Sequence, residues 1–284
     1  MKIATILNCH EESDLLLDTL DSIRSFLSKD ILLVSDGSSE DNFESINYTY
    51  KLKGFSHNSS KAPYKNVILG LMKAWEIWGE NVDWYCYTEP DCLFAANNIA
   101  QDLKKRNSWL IGNNLKKEKV DSNFEDNSFP FIGKFLKKEI TDTYYMIGCC
   151  LFFKKDFLKK LKELDFFEKI LNYTNAFNKG HYPKYKGHDI SEHLFPTLAW
   201  HLGGGLGEFA NLSVPGHPTG NHEKYKIKFG GSFSYIFNDK LNNSNDGDLG
   251  TDDFESCKKS YVMHPIKEFN NPIRKYHRSL RRKF

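Results

Sequence analysis

The sequence predicts an α/β fold in which a mostly parallel central sheet carries helices on both faces. Short, almost wholly apolar segments at 3–7, 31–35 and 84–88 are typical of buried parallel strands. Segments with apolar residues at helical spacing, at about 14–27 and 67–78, separate these strands along the chain. Strands that alternate with helices in this way favour a parallel sheet, with ligands at the carboxyl ends of its strands.

The first helix and the second strand have clear boundary signals. Ser13 is a suitable N-cap, and the apolar residues that follow it recur at intervals of three or four. These apolar residues are Leu16, Leu20, Ile23 and Leu27. The strand at 31–35 is followed by Asp-Gly-Ser-Ser at 36–39, a composition typical of a turn. Together these signals predict a βαβ arrangement.

Composition indicates one folded domain with no general affinity for nucleic acid. The 284 residues are 40% hydrophobic and 14% aromatic, which suffices for one substantial core. The 39 basic and 37 acidic residues nearly cancel, so there is no electrostatic basis for nucleic-acid binding. We expect a single domain at 1–265, which includes a lid-like loop at 216–256, and a basic C-terminal tail at 266–284.

Cysteine usage and hydropathy favour a cytoplasmic protein. The six cysteines form no C-x-x-C pair and mostly lie in apolar contexts, as reduced buried thiols do. No apolar stretch approaches the length of a membrane span, and the N-terminal one is too short for a signal peptide. Peripheral membrane contact through the tail stays open beside a solvated terminal helix. The basic residues of the tail are Lys267, Arg274, Lys275, Arg278, Arg281, Arg282 and Lys283, against Glu268 alone.

Two carboxylates separated by one residue follow the apolar segment at 84–88. Glu89 and Asp91 would lie together at the carboxyl end of a strand. Such oxygen ligands suit Mg²⁺ or Mn²⁺, whose shell is often completed by the phosphate oxygens of a substrate. Acidic residues in this pattern also occur in solvated loops, so the neighbouring motifs must distinguish a cation site from such a loop. The pair suggests a divalent-cation site and, through it, a nucleotide diphosphate.

Several motifs in order resemble those of GT-A fold glycosyltransferases, closest to the large inverting family that uses nucleotide-diphosphate sugars. Residues 7–11, Leu-Asn-Cys-His-Glu, stand where that family has its first-strand loop, and 34–41 resemble its D-G-S-x-D segment. Glu89-Pro90-Asp91 occupies the place of its D-x-D metal motif, with Glu as a departure. The resemblance implies a nucleotide-sugar-binding half at 1–92 and an acceptor half at 93–215. The donor-binding residues that it implies are Asn8, His10, Asp36, Lys61, Asn66, Glu89 and Lys267.

The same resemblance implies roles for individual residues around a bound Mn²⁺ or Mg²⁺. Asp36 would contact the nucleoside, for which uridine is favoured, and Lys267 would meet the diphosphate as a point charge. Asp91 is the safer cation ligand, because the longer Glu89 could instead bond a ribose hydroxyl or a metal-bound water. Several enzymes of this fold complete the cation's shell with a C-terminal histidine, which implies His264 as the second ligand.

On the acceptor side, the resemblance implies a catalytic base. The segment at 144–153 resembles the glycine-containing strand that lines the acceptor cleft, with Gly148 at the position of close approach. A helix beginning near Asp189 would supply the base that takes the proton of the acceptor hydroxyl. Asp189 is the first candidate and Glu192 the reserve. The acceptor would be a glycan or a lipid-linked sugar, and the loop at 216–256 would exclude water as a lid.

Other interpretations remain open. A zinc site from His188, Glu192 and His193 is disfavoured, because residues five apart lie roughly 140° apart around a helix. A sugar nucleotidyltransferase would share the layout and the need for Mg²⁺, but the Gly-rich basic loop expected directly after the first strand is missing. A non-catalytic glycan-binding protein of the same fold is a third alternative. Retention is also open, because the sequence does not show which face of the sugar the carboxylates address.

Overall fold

The structure is a computed structural model, and strands and helices alternate along most of the chain that it describes. The described residues are 1–9, 13–35, 43, 46, 50–54, 62–95, 99–119, 128–176, 189–208, 235–237, 262–264 and 266–281. Their strands are β1 (Ile3–Cys9), β2 (Asp30–Ser35), β3 (Tyr50–Lys53), β4 (Trp84–Thr88), β5 (Leu93–Phe94), β6 (Leu110–Lys119), β7 (Asp142–Lys154), β8 (Leu206–Glu208), β9 (Tyr235–Phe237) and β10 (Val262–His264).

Seven of these strands form the central sheet, in the order β3-β2-β1-β4-β7-β6-β8. All neighbours are parallel except β7, which runs antiparallel to both β4 and β6. A second sheet of three short strands has the order β5-β10-β9. The mostly parallel α/β sheet predicted from the sequence is confirmed. In the second sheet the C-terminal strand β10 pairs with β5, the strand that directly follows Glu89 and Asp91 in the chain.

Helices cover both faces of the sheet. In the described part of the chain the α-helices are α1 (Asp14–Phe26), α2 (Ala62–Trp78), α3 (Ile99–Lys104), α4 (Ser128–Leu136), α5 (Lys155–Glu163), α6 (Phe166–Ala176), α7 (Asp189–His201) and α8 (Pro272–Arg281). One hydrophobic cluster joins α2, α4, α5, α6 and α7 to one face, and a second joins α1 and α3 to the other. Because side chains alternate along a strand, β4 sends Tyr85 and Tyr87 into the first cluster and Trp84 and Cys86 into the second.

The first helix begins at the predicted cap. The Ser13 hydroxyl accepts a hydrogen bond from the Leu16 amide at 3.2 Å, which satisfies one of the amides left over at a helix start. Leu20 and Ile23 are buried on the same face, as their spacing predicts. Asp18, on the same helix, is also buried, which the apolar pattern did not predict.

The tail differs from a solvated basic helix. Its residues 272–281 form α8, and Arg274 is fully buried against Asp18 of α1, with its Nη1 2.8 Å from Asp18 Oδ2. Arg281 also pairs with Asp18, and Arg278 Nη1 lies 3.7 Å from it. Asp18 therefore neutralises part of the positive charge of α8 inside the protein, whereas Lys275 is exposed.

Two further expectations concern thiols and membrane spans. Five of the six cysteines, Cys9, Cys86, Cys92, Cys149 and Cys150, are buried reduced thiols, and Cys257 lies outside the described residues. Among the described helices, none combines the length and the apolar character that crossing a bilayer requires.

Candidate functional site

The acidic pair lies where the sequence places it, directly after the buried strand β4. The chain turns at once, since the Cys92 amide donates to the Glu89 carbonyl at 3.1 Å. The turn carries Asp91 towards the protein, and only 17% of its side chain is exposed. A carboxylate enclosed in this way needs a compensating positive charge, because burial disfavours its ionised form.

His264 provides that charge from the far end of the chain. It ends β10, which pairs with β5 and so passes beside the acidic turn. The Ile266 amide also donates to the Asp91 carbonyl at 2.8 Å, which joins the two segments directly. As a result His264 Nε2 lies 3.3 Å from Asp91 Oδ1. The structure thus brings together two residues that the resemblance implied as joint ligands.

Glu89, Asp91 and His264 together form a set of potential metal ligands. One ligand atom from each lies within 4.8 Å of the others, and His264 is buried while both carboxylates are partly exposed. Two carboxylates and one imidazole suit Mn²⁺ or Mg²⁺, and the partly exposed side leaves room for phosphate oxygens. The residues present therefore fit the predicted cation, and Glu89 lies close enough to belong to the set.

Without a cation, His264 carries the positive charge itself. Burial opposes the charged imidazole, but negative charge on the Cys92 sulfur and on the Asp91 carboxylate outweighs burial and raises the pKa of His264 to about 9. For Asp91 burial again opposes the charge, but the hydrogen bond from His264 and the charges of Lys267 and Arg274 lower its pKa. A cation bound here would replace the imidazolium proton.

This exchange gives a pH dependence with a definite sign. Because the proton must leave His264 before its nitrogen can bind a metal, we expect Mn²⁺ affinity to rise about tenfold per pH unit as the pH approaches the raised pKa. Calorimetry in two buffers of different ionisation enthalpy would count the released proton. His264→Gln should bind Mn²⁺ more weakly and with little proton release. An affinity independent of pH between about 6.5 and 8.5 would contradict the exchange.

Arg274 holds both ligand-bearing segments in place. Its Nη2 donates to the Pro90 carbonyl at 3.0 Å, between the two acids, and its Nε donates to the Ile266 carbonyl at 3.1 Å. The Thr19 hydroxyl donates to the same Pro90 carbonyl. Asp18 neutralises the charge of the buried guanidinium. The hydrogen bonds of the same guanidinium then hold the acidic turn and the segment after His264 in place.

Sequence reasoning missed Arg274 as a site residue, although a signal was present. Arg274, Arg278 and Arg281 recur at i, i+4 and i+7, which places them on one face of a helix. A basic stripe of this kind is usually solvated. Only the buried Asp18, on a helix far away in sequence, shows that the stripe faces inward.

The predicted donor-binding residues are described in part. Asn8 is buried at the carboxyl end of β1, and its Oδ1 has no hydrogen-bond partner among the described residues. Asn66 lies within α2, which begins five residues before the predicted start. A Cβ at Gly54 would collide with the Asn66 side chain and with the Ser35 carbonyl, so both lie against Gly54. Asn66 therefore packs at the carboxyl end of β2. His10, Asp36 and Lys61 lie outside the described residues.

Of the two candidate bases, Glu192 has a described position. Its Oε1 accepts a hydrogen bond from the Gly148 amide of β7 at 3.2 Å. The next residue, Cys149, accepts through its carbonyl from Cys92 Sγ at 3.3 Å, and Cys92 directly follows Asp91. Glu192 is therefore linked to the cation-ligand set through a short series of contacts. Asp189 is the first residue of α7, three positions before Glu192, but its side chain lies outside the described part.

Three remaining predictions concern His193, Lys267 and the lid. His193 is buried beside the Thr143 hydroxyl and the Tyr145 ring, and burial lowers its pKa to about 4. It is therefore a neutral core residue, and His188, the other member of the zinc interpretation, lies outside the described residues. Lys267 is exposed, and its charge reaches Asp91. Of 216–256, only β9 is described, and it pairs in parallel with β10.

Fold and site define an α/β protein with a mostly parallel central sheet and a set of potential metal ligands at the carboxyl end of a central strand. No protein-family model and no curated protein matches the sequence. The fold, by contrast, is similar to that of solved structures, among them a glycosyltransferase involved in the glycosylation of the major capsid of PBCV-1. It is 12% identical, with a TM-score of 0.46 over 98% of this chain and 100% of that one.

Two other solved structures have a similar fold. A 4-diphosphocytidyl-2C-methyl-D-erythritol synthase from Anaerococcus prevotii is 14% identical, with a TM-score of 0.40 over 73% of this chain and 87% of that one. A mannose-1-phosphate geranyltransferase from Thermus thermophilus is 13% identical, with a TM-score of 0.38 over 62% and 65% of the two chains. Likenesses this distant carry no activity over to this chain, so its function must be inferred from the site.

Proposed function

We propose that the protein is a metal-dependent glycosyltransferase that moves a sugar from a nucleotide-diphosphate donor, with UDP favoured, to a glycan or lipid-linked acceptor. The observation that carries the proposal is the set formed by Glu89, Asp91 and His264 at the carboxyl end of β4. Ligands collect at this edge of a parallel sheet, and this donor set suits a cation that is shared with phosphate oxygens. A carboxylate on the acceptor side, Glu192, supports transfer rather than binding alone.

In the proposed reaction the side chains have separate tasks. Asp91 and His264, with Glu89 beside them, would hold Mn²⁺ or Mg²⁺, which when bound neutralises the charge that develops on the departing diphosphate. Asn8 and Asn66, together with His10, Asp36 and Lys61, would bind the nucleoside side of the donor. Lys267 would add a second positive charge near the diphosphate.

Transfer also requires a base. Glu192 or Asp189 accepts the proton of the acceptor hydroxyl while that oxygen bonds to the anomeric carbon and the bond to the diphosphate breaks. With the base and the diphosphate on opposite faces of the sugar, the anomeric centre inverts. The contact between Glu192 and Gly148 supports this arrangement, because it places a carboxylate on the β7 side of the acidic turn.

The direct test is release of nucleoside diphosphate from a panel of UDP, GDP and CDP sugars. We expect Mn²⁺-dependent release from one class of donor and a loss of at least about 100-fold in Asp91→Asn, since the variant keeps the shape and removes the charge. Asp83→Asn, which changes a partly exposed acid just before β4, is the matched control and should stay active. Release of pyrophosphate from a nucleoside triphosphate and a sugar phosphate would instead identify a nucleotidyltransferase.

A further inference from the structure

Two cysteines lie directly behind the acidic turn and share His264 with it. Cys92 follows Asp91 in the chain and is fully buried, and Cys149, on β7, is 7% exposed. One ligand atom from each of Cys92, Cys149 and His264 lies within 4.8 Å of the others. Their donors are two sulfurs and one imidazole nitrogen, whereas the set at the cleft consists of two carboxylates and the same imidazole.

The fold holds these three residues on three separate segments, a turn and two strands. Cys92 lies between β4 and β5, and Cys149 belongs to the strand that runs antiparallel to β4. His264 ends the strand that pairs with β5. The Cys92 thiol donates to the Cys149 carbonyl at 3.3 Å, which holds its sulfur on the side of β7. The cluster therefore needs little rearrangement to close around an ion.

Sulfur and nitrogen donors select a different class of metal from the carboxylates. Thiolates together with imidazole suit Zn²⁺, with bonds of about 2.3 Å to sulfur and about 2.0–2.1 Å to nitrogen, whereas thiolates suit Mg²⁺ and Mn²⁺ poorly. Tetrahedral ligands at these distances lie roughly 3.5 Å apart, so side-chain rotation can close the cluster. Binding would release the thiol protons to solvent, since the thiolate is the metal ligand.

We propose that Cys92, Cys149 and His264 form a second metal site, which takes a thiophilic ion such as Zn²⁺ or Cd²⁺. Because His264 belongs to both sets, a thiophilic ion in this site removes one ligand from the Mn²⁺ or Mg²⁺ set. Zinc is then an antagonist of the catalytic cation. The zinc site does not depend on the proposed function. Only the antagonism between Zn²⁺ and the catalytic cation rests on that function.

The test begins with the full-length protein, kept reduced by a phosphine and titrated with Cd²⁺. A thiolate-to-cadmium charge-transfer band that saturates at one equivalent is expected. Cys92→Ser and Cys149→Ser should each lose most of this band and bind Zn²⁺ at least about 100-fold more weakly. Cys86→Ser is the matched control, because Cys86 is equally buried on β4 but is not a member of the cluster, and it should keep the band.

Two further measurements make the outcome decisive. X-ray absorption of the zinc-loaded wild type needs no substitution, and sulfur neighbours at the zinc are expected. Electron paramagnetic resonance measures Mn²⁺ binding, which Asp91→Asn should lose while it keeps the cadmium band. This variant therefore separates a failure of the proposed function from a failure of the zinc site. No band in the wild type, zinc without sulfur neighbours, or a band that survives Cys149→Ser would overturn the site. Zn²⁺ that leaves Mn²⁺ affinity unchanged would overturn the antagonism.

Discussion

Arg274→Met is expected to destabilise the protein by about 3–5 kcal/mol, the usual cost of removing one partner of a buried ion pair. The guanidinium is fully buried, and its loss leaves Asp18 with only its two outer arginines. It also removes one of the two donors to the Pro90 carbonyl, whose other donor is the Thr19 hydroxyl, and the guanidinium donor to the Ile266 carbonyl. Urea unfolding, with the slope checked for two-state behaviour, measures the change in free energy of unfolding.

The same substitution separates a positioning role from a merely stabilising one. Because Arg274 fixes the turn between Glu89 and Asp91, we expect Mn²⁺ affinity to fall by about 10–100-fold at a temperature where the variant is fully folded. Lys275→Met, its exposed neighbour on α8, is the matched control and should change neither quantity by much. Arg274→Lys should recover part of the stability but less of the affinity, since an ammonium cannot reach both carbonyls and Asp18 together. Wild-type Mn²⁺ affinity in a folded Arg274→Met would contradict the positioning role.

Glu192→Gln is expected to lower kcat by about 10²–10⁴-fold, the usual contribution of a general base, with little change in nucleotide binding. The amide oxygen of glutamine can still accept from the Gly148 amide, so the variant should fold normally. Steady-state kinetics with varied donor, together with direct nucleotide titration, separate kcat from binding.

Comparing Glu192→Gln with Asp189→Asn shows which of the two acids is the general base. Asp189→Asn tests the other candidate at the start of α7, and Glu168→Gln, on the exposed face of α6, serves as the control. Full kcat in Glu192→Gln with a large loss in Asp189→Asn would move the base to Asp189. Full kcat in both variants would contradict a base supplied by α7.

The central strands could be predicted because burial on both faces makes their sequences almost continuously apolar. Strands β1, β2 and β4 accordingly begin and end within a few residues of the predicted segments. Helix α2 begins at Ala62, five residues before the predicted start, and the sequence does not predict this because a proline and polar residues at 62–66 weaken the apolar period. In the helix, Pro63 occupies the first turn, where its missing amide costs nothing.

The partners of the metal ligands could not be predicted in the same way. A resemblance implied that Asp91 and His264 meet, but the contacts that hold them depend on which helix faces which. The pair of Asp18 and Arg274 spans 256 residues, and local spacing contains no information about it. The approach of Cys149 to Cys92 likewise depends on the antiparallel register of β7 against β4, which becomes visible only in the folded chain.

The most direct test of the central claim is a calorimetric titration of UDP, GDP and CDP with and without Mn²⁺, on the wild type and on Asp91→Asn. If Asp91 and His264 hold a cation that is shared with a diphosphate, one nucleotide should bind the wild type in the presence of Mn²⁺, and its affinity should fall at least about 100-fold without Mn²⁺ or in the variant. Failure of every nucleotide to bind, or equal binding with and without Mn²⁺ in both proteins, would contradict the assignment of this site.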